Sequence, residues 1–234
     1  AILLRNVPLV SKLPARFRER LETNIKLFLA EVSFEGQGGV DITDEIRVTI
    51  AAEACMLLLN RNTGVYPSLR YIVVYPAAFV VERPRTIEGG VVSNRRMGVL
   101  GESWSNGKVI LAWDDVLRGA RNFVDGRNVV LHEFSHQLDS ESGSTDGAPL
   151  LAGESSYRSW AATLSAAYRV LQRKARHGDR SLMDHYGATN PAEFFAVATE
   201  TFFERPEQMA RHHGELFEVL AAGAEKRRNR VLRA

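Results

Sequence analysis

The chain has 234 residues and a formal net charge of +2; 45% of the residues are hydrophobic and 25% are charged. These fractions are typical of a globular protein that buries a core, and they exclude collagen-like and wholly disordered chains. The single cysteine, Cys55, excludes an intrachain disulfide and a thiolate-rich metal site. No apolar run approaches the roughly 20 residues of a membrane span, and the first residues lack a signal-peptide pattern. A cytoplasmic protein without membrane contact is therefore expected.

The charge is also close to balanced, although the sequence pI is 8.8. Zinc-finger spacing and an aromatic RNA-binding box are both absent from the sequence. A nucleic-acid partner is therefore not expected.

In chain order, the first elements are helices. Apolar residues at helical spacing predict an opening amphipathic helix with Pro14 in its first turn: Leu13, Phe17, Leu21, Ile25 and Phe28. A second helix is predicted to begin near Thr43, because Asp44 and Glu45 suit the positive end of a helix dipole.

Strand patterns follow, and then helical patterns continue to the end of the chain. The predicted strands are RYIVVY, a run from about Met97 to Trp104, and KVILAW, which returns after a hairpin turn at Asn106 and Gly107. From Trp113 onward the spacing of apolar residues is helical. These patterns predict an α+β fold with a small, mostly antiparallel or mixed sheet and a mainly helical remainder.

The segment RNVVLHEFSHQLD carries the clearest chemical signal. His132 and His136 are four residues apart, so on a helix their imidazoles lie on one face and converge on one ion. Glu133 stands beside the first histidine, where its carboxylate reaches a water at the metal without itself being a ligand. This HExxH arrangement in a largely apolar helix predicts a catalytic zinc site. The alternative is a helix with two hydrogen-bonded core histidines and a surface glutamate.

A catalytic zinc needs a third protein ligand. A metzincin would place glycine and histidine where this chain has Asp139 and Ser142, so that class is excluded. Glu193 is a better candidate, because it falls in the first turn of an apolar helix that begins after Asn190, where a buried carboxylate needs a cation. Alternatively, Glu193 caps its own helix.

The sequence leaves alternative roles open for three further residues. Glu200 shares the face of Glu193 and is either a rival ligand or a group that orients a histidine. Asp139, one turn beyond His136, is either such an orienting group or a helix-end residue. Tyr186 lies in the loop before the Glu193 helix, where it either stabilises an oxyanion or packs beneath the loop.

At these residues the chain resembles the Mlc titration factor A family of bacterial zinc peptidases, and more distantly the catalytic domain of anthrax lethal factor. The resemblance is carried by LHEFSHQLD, by Tyr186 with NPAEFF after it, and by the upstream runs RYIVVYPAAFVVE and GESW…ILAW. It implies a zincin-like fold, zinc on His132, His136 and Glu193, Glu133 as general base and Tyr186 as stabiliser of the transition state. One departure is Val197, where thermolysin-type enzymes have an acid, so the carboxylate that orients a histidine comes from elsewhere.

The expected protein is a single zincin-like metallopeptidase domain over residues 1–234. Its N-terminal helical part covers residues 1–66, and residues 67–234 hold the sheet, the HExxH helix and the C-terminal helices. The expected substrate is a peptide or protein, which extends an exposed strand edge, either Met97–Trp104 or Lys108–Trp113. The alternative function is a regulatory protein that sequesters a transcription factor. A glucose-linked repressor is bound in one branch of the family, but no motif in this chain encodes that partner.

Overall fold

The computed structural model describes residues 2–60, 65–87, 91–99, 101–104, 107–149 and 154–226. Its helices are α1 (Ile2–Asn6), α2 (Ala15–Glu31), α3 (Asp44–Met56), α4 (Trp113–Arg121), α5 (Val129–Ser140), α6 (Glu154–His177), α7 (Pro191–Glu204), α8 (Pro206–His212) and α9 (Gly214–Lys226). Two 3₁₀ helices cover Pro8–Lys12 and His185–Ala188. The strands are β1 (Ser33–Gly36), β2 (Tyr71–Tyr75), β3 (Phe79–Ile87), β4 (Val91–Val99), β5 (Gly101–Trp104) and β6 (Lys108–Ala112).

Both predicted N-terminal helices are confirmed. Pro14, which the sequence predicts in the first turn of α2, is instead its cap residue, directly before the first helical residue. Thr43 caps α3 with a side chain that accepts a hydrogen bond from the N–H of Ile46, and two acidic residues occupy the first turn. The helix bounds therefore follow from local signals that the sequence displays.

The sheet differs from the prediction. Its strand order is β1-β2-β6-β5, with β1 parallel to β2 and β2 parallel to β6. Only β5 runs antiparallel in this sheet, paired with β6 across the predicted hairpin. The prediction of a mostly antiparallel sheet is wrong because α3 lies between the parallel strands β1 and β2, and β3, β4 and β5 lie between the parallel strands β2 and β6. Local patterns do not show such crossovers.

The run predicted as one strand from Met97 to Trp104 is divided between two sheets. Its first residues end β4, which pairs with β3 in a separate antiparallel ribbon, and its last residues form β5. Of the predicted turn, Asn106 lies outside the described residues, and Gly107 has a φ of +80°.

The described core consists of two hydrophobic clusters. The first cluster joins buried residues between Val7 and Leu138, and it includes the apolar side of α5. The second cluster joins buried residues between Trp160 and Leu220, and it includes most of the apolar side of α7. Helices α5 and α7 pack against each other. The site described below lies where these two helices meet. Among the described residues, no helix combines the length and hydropathy that a membrane crossing needs.

Candidate metal centre

Helix α5 presents two histidines opposite its apolar side. Its cap residue is Asn128, and Leu131, Phe134 and Leu138 are buried in the first cluster. His132 and His136 lie one turn apart with ring centroids separated by 5.0 Å. The spacing of four residues therefore places both imidazoles on one face, as the sequence predicts.

Glu193 reaches these histidines from α7. Asn190 caps α7 by accepting the backbone N–H of Glu193, and Pro191 is the first helical residue. The carboxylate oxygen Oε2 of Glu193 lies 2.9 Å from Nε2 of His132 and 3.5 Å from Nε2 of His136. The side chain is thus directed at the histidines.

The donor set suits a metal ion. One ligand atom from each of His132, His136 and Glu193 lies within 4.8 Å of the other two. A tetrahedral zinc with bonds of about 2.0–2.1 Å has ligand atoms about 3.3 Å apart, close to the two measured separations. Two imidazoles and one carboxylate are ligands that zinc commonly takes in catalytic sites.

Glu200 contacts the other nitrogen of the first histidine. Its Oε1 lies 2.7 Å from Nδ1 of His132, and its Oε2 accepts the backbone N–H of Asn128 at 2.7 Å. A carboxylate on Nδ1 fixes the ring orientation and leaves Nε2 toward Glu193. The geometry therefore supports Glu200 as an orienting group for His132.

Asp139 has a different partner. Its Oδ2 accepts the backbone N–H of Gly147 at 2.8 Å, and this hydrogen bond ties the loop after α5 back to that helix. Nδ1 of His136 is buried and has no hydrogen-bond partner among the described residues. Of the two candidates for an orienting group, Glu200 is therefore the one that the geometry supports.

Glu133 is buried beside both histidines. Burial raises the pKa of its carboxyl to about 7, even though His132 and His136 act in the opposite direction. Burial also opposes the ionisation of Glu193, but hydrogen bonds with His132 and His136 overcome it and lower the Glu193 pKa to about 2. The centre thus holds one ionised carboxylate on the histidines and one carboxyl suited to exchange a proton near neutral pH.

Tyr186 stands at the edge of the centre. It is 50% exposed, and its ring centroid lies 5.8 Å from that of His132. Partial burial raises the pKa of the phenol to about 12, and the carboxylates of Glu193 and Glu133 act in the same direction. The hydroxyl therefore keeps its proton at neutral pH and can donate a hydrogen bond.

The loop that carries Tyr186 is fastened from two sides. Asp184 accepts the backbone N–H of Tyr186 at 2.9 Å and pairs with Arg127 at 2.7 Å. The buried Gly187 packs against Val197 and Leu171, where an added Cβ would come within 3.1 Å of both side chains. Val197, the departure from thermolysin-type enzymes, thus forms part of the surface against which this loop packs.

Sequence reasoning missed three polar residues near the centre: Glu53, Asn128 and Glu204. Asn128 precedes an apolar helix, which is a recognisable cap signal. Glu204 follows Glu193 by 11 residues and Glu200 by four, so its place on the same face of α7 could have been read from helical spacing. Nothing in the sequence connects Glu53, on α3, with this region.

Comparisons with known proteins place the chain among metallopeptidases. The sequence profile of the family described as glucose-regulated metallo-peptidase M90 matches residues 1–223. An uncharacterised protein of Synechocystis sp. is 40% identical over 221 residues, which cover 94% of this chain and 80% of that protein. Proteins named Mlc titration factor A are 31% identical in Serratia proteamaculans, over 91% of this chain and 81% of theirs, and 30% in Klebsiella pneumoniae, over 87% and 77%. The resemblance stated from the sequence is confirmed.

Proposed function

The chain belongs to the glucose-regulated metallo-peptidase M90 family, and from this premise we propose that it is a zinc-dependent peptidase. The observation that carries the proposal is the convergence of His132, His136 and Glu193 within 4.8 Å. A buried glutamate, Glu133, stands beside them. We also propose that residues 1–234 form one zincin-like domain that acts in the cytoplasm.

His132, His136 and Glu193 would hold the zinc in this proposal. When bound, zinc polarises the scissile carbonyl and lowers the pKa of water toward about 7. Glu133 takes the proton of the attacking water and passes it to the leaving amine, a role that suits a carboxyl buried beside both histidines. Tyr186 donates its hydroxyl proton in a hydrogen bond to the oxyanion of the tetrahedral intermediate. Glu200 keeps the ring of His132 in place.

An extended peptide would bind along β5. Strand β6 is paired on both sides, with β2 and β5. Among the described strands, β5 pairs only with β6 in this sheet, and it lies against α5. The backbone of an edge strand offers unpaired N–H and C=O groups to a peptide that adds to the sheet. Of the two edges considered from the sequence, β5 is therefore the one available.

The decisive test measures zinc content and peptide hydrolysis side by side for the wild type and Glu133→Gln. The variant should keep about one zinc per chain, while hydrolysis falls at least about 10²-fold because an amide cannot accept the proton. The exposed Glu207→Gln on α8 serves as the matched control and should hydrolyse peptide at the wild-type rate. Hydrolysis by Glu133→Gln within a few-fold of wild type would remove Glu133 from the mechanism.

A second function is supported by the names of the relatives. Proteins about 30% identical to this chain are called Mlc titration factor A, a name that describes titration of a transcriptional regulator, Mlc. A protein that only sequesters a partner would bind it without needing Glu133. Binding of a transcriptional regulator that survives Glu133→Gln, in a wild type that hydrolyses no peptide, would favour this second function.

A further inference from the structure

Asn128 joins the helix that carries the histidines to glutamates on two other helices. Its Oδ1 accepts the N–H of Leu131 at 2.9 Å and so caps α5. Its backbone N–H donates to Glu200 on α7 at 2.7 Å, and its Nδ2 donates to Oε1 of Glu53 on α3 at 2.7 Å. Asn128 is 1% exposed and Glu53 is 0% exposed. These three buried hydrogen bonds join Asn128 to three different helices.

Glu200 continues this connection to the metal centre. The oxygen that does not bind Asn128 lies 2.7 Å from Nδ1 of His132. The order of contacts is therefore Glu53, Asn128, Glu200 and His132, with each step at 2.7 Å. Hydrogen bonds are directional, so a shift of Asn128 would turn the Glu200 carboxylate and, with it, the His132 ring.

The residues directly before Asn128 are held by α7 in the same way. Oε2 of Glu204 accepts the N–H of Gly126 at 2.7 Å and that of Arg127 at 3.1 Å. Gly126 adopts a φ of +77°, a left-handed conformation that glycine takes without strain. Three consecutive backbone N–H groups therefore bind two glutamates that lie one turn apart on α7.

The orientation of the Asn128 amide depends on Glu53. An amide rotated by 180° would place its oxygen against the Glu53 carboxylate and its NH₂ group against the N–H of Leu131, so both hydrogen bonds would be lost. Gly119 of α4 leaves room for this amide, because an added Cβ would come within 3.1 Å of its Cγ and Nδ2. A fully buried glutamate is costly, and an apolar side chain at position 53 would satisfy packing alone.

We propose that Glu53 and Asn128 are positioning residues for the metal centre, which hold the Glu200 carboxylate on His132. Neither side chain bonds the side chain of a candidate ligand; the path to the His132 ring runs through Glu200. The backbone C=O of Asn128 accepts the N–H of His132 at 2.9 Å in the first turn of α5, and that bond fixes the backbone rather than the ring. The inference rests on the proposed zinc site, but its main readout is the rate of zinc release, which requires no hydrolysis.

The test exchanges donor and acceptor between the two positions. Asn128→Asp keeps the cap oxygen and the backbone N–H but loses the amide donor. Zinc release is compared at about pH 9, where the Glu53 carboxyl is ionised, so that this variant sets two carboxylates against each other. Glu53→Gln keeps an acceptor for Asn128 and should release zinc to a chelator within about 3-fold of the wild-type rate. The double variant Asn128→Asp/Glu53→Gln restores the pair in reverse, because the new amide at position 53 donates to the new carboxylate at position 128.

Asn128→Asp should release zinc about 10- to 100-fold faster, the range observed when residues that orient a ligand are lost. The double variant should return to within about 3-fold of the wild type, and kcat should follow the same order with little change in KM. Asn128→Ser, which keeps a good cap but places no charge against Glu53, should also release zinc faster and covers the case in which Asn128→Asp fails to fold.

Thr43→Ala is the matched control, because Thr43 caps α3 in the same manner, through the N–H of Ile46, at a helix end away from the centre. It should lower Tm by a few degrees and leave zinc release unchanged. Folded Asn128→Ser that releases zinc at the wild-type rate, or a double variant no better than Asn128→Asp, would overturn the proposal. A wild type that binds zinc without hydrolysing peptide would refute only the proposed function, and one that binds no zinc would refute both.

Discussion

The two hydrophobic clusters are assembled differently, yet each supplies one helix to the candidate metal centre. The first cluster combines the sheet with helices α2 to α5, whereas the second draws on helices α6 to α9 and the loop before α7. Within each cluster, apolar packing buries the helix, but hydrophobic contacts are non-directional and do not fix its rotation or register. Between α5 and α7 lies a group of polar residues: His132, Glu133, His136, Glu193 and Glu200. We call this set the polar seam.

Apolar contacts and hydrogen bonds determine different features of the way α5 and α7 pack. Apolar burial places α5 in the first cluster and most of α7 in the second, with Phe203 of α7 packed against the first. Directional hydrogen bonds across the polar seam add a constraint on the register between the two helices. The contacts run antiparallel: Glu193 meets His132 and His136, Glu200 meets His132 and Asn128, and Glu204 meets residues 126 and 127. Substitutions in the polar seam should therefore change metal binding more than stability.

The largest effects are expected from the three candidate ligands, His132, His136 and Glu193. Glu193→Gln should weaken zinc affinity beyond the 10- to 100-fold expected for Glu200→Gln, because a neutral amide oxygen is a poorer ligand than a carboxylate. His132→Ala and His136→Ala should lose stoichiometric zinc, because each removes a ligand outright. Competition with a chelator of known affinity measures all four variants.

The paired variants at positions 193 and 200 also separate the alternatives left by the sequence. If Glu200→Gln abolished zinc binding while Glu193→Gln preserved it, the assignments of ligand and orienting group would be exchanged. The centre would then depend on a carboxylate deeper in α7, and Glu193 would be only a helix-terminal residue.

The next effect concerns the exposed edge of the polar seam. Tyr186→Phe should lower kcat with little change in KM or zinc content, because its hydroxyl would bond an oxyanion that exists only in the transition state. Loss of one such donor costs about 10²- to 10³-fold in kcat, and a donor on a loop contributes at the lower end or below. Steady-state kinetics at saturating zinc measures kcat and KM separately. An unchanged kcat would leave Tyr186 as a packing residue.

The sequence predicts the parts of this centre that depend on local spacing. The four-residue interval of His132 and His136, the cap at Asn190 and the first-turn place of Glu193 are properties of single helices, and the structure has all of them. The parallel sheet and the contacts of Glu53 and Glu204 were not predictable in this way. Their hydrogen bonds join residues 75 to 78 positions apart, and helical or strand periodicity carries no information over such distances.

Stability should depend on pH through the buried glutamates beside the polar seam. Burial raises the pKa of Glu53 to about 8, and Glu204 acts in the same direction; burial likewise raises the pKa of Glu204 to about 8. A folded pKa above the unfolded value of 4.5 means that the folded state holds the proton more tightly. The stabilisation is therefore complete below about pH 4.5 and is lost as the pH rises toward 8.

The free energy of unfolding should accordingly fall between pH 5 and pH 8, and this fall should be shallower in Glu53→Gln, whose amide does not titrate. Denaturant unfolding at several pH values measures the slope, with a limit of about 1.4 kcal/mol per pH unit for each titrating group. Glu133 titrates in the same direction, so the informative quantity is the difference between variants. Glu207→Gln, at an exposed position, is the control and should keep the wild-type slope. Equal slopes in all three proteins would show that Glu53 is ionised in the folded state as well as in the unfolded state.

The smallest effect tests how closely the Tyr186 loop must sit on the second cluster. Gly187→Ala places a Cβ about 3.1 Å from side-chain atoms of both Leu171 and Val197, so the 3₁₀ helix must move outward by a few tenths of an ångström. Tyr186 is the adjacent residue and should move with it, away from His132. Because small displacements of a positioned group reduce its contribution, kcat should fall by up to about 10-fold while zinc content stays the same.

The matched control for this substitution is Gly214→Ala, where an added Cβ meets no atom within 4 Å. It should leave kcat unchanged, and any effect on stability should come from the helix preference of alanine alone. In the background of Tyr186→Phe, Gly187→Ala should have no further effect on kcat, because the hydroxyl that it displaces is already absent. An additive loss in that double variant would mean that Gly187 supports the centre through α7 rather than through Tyr186, and the effect should then appear in zinc release.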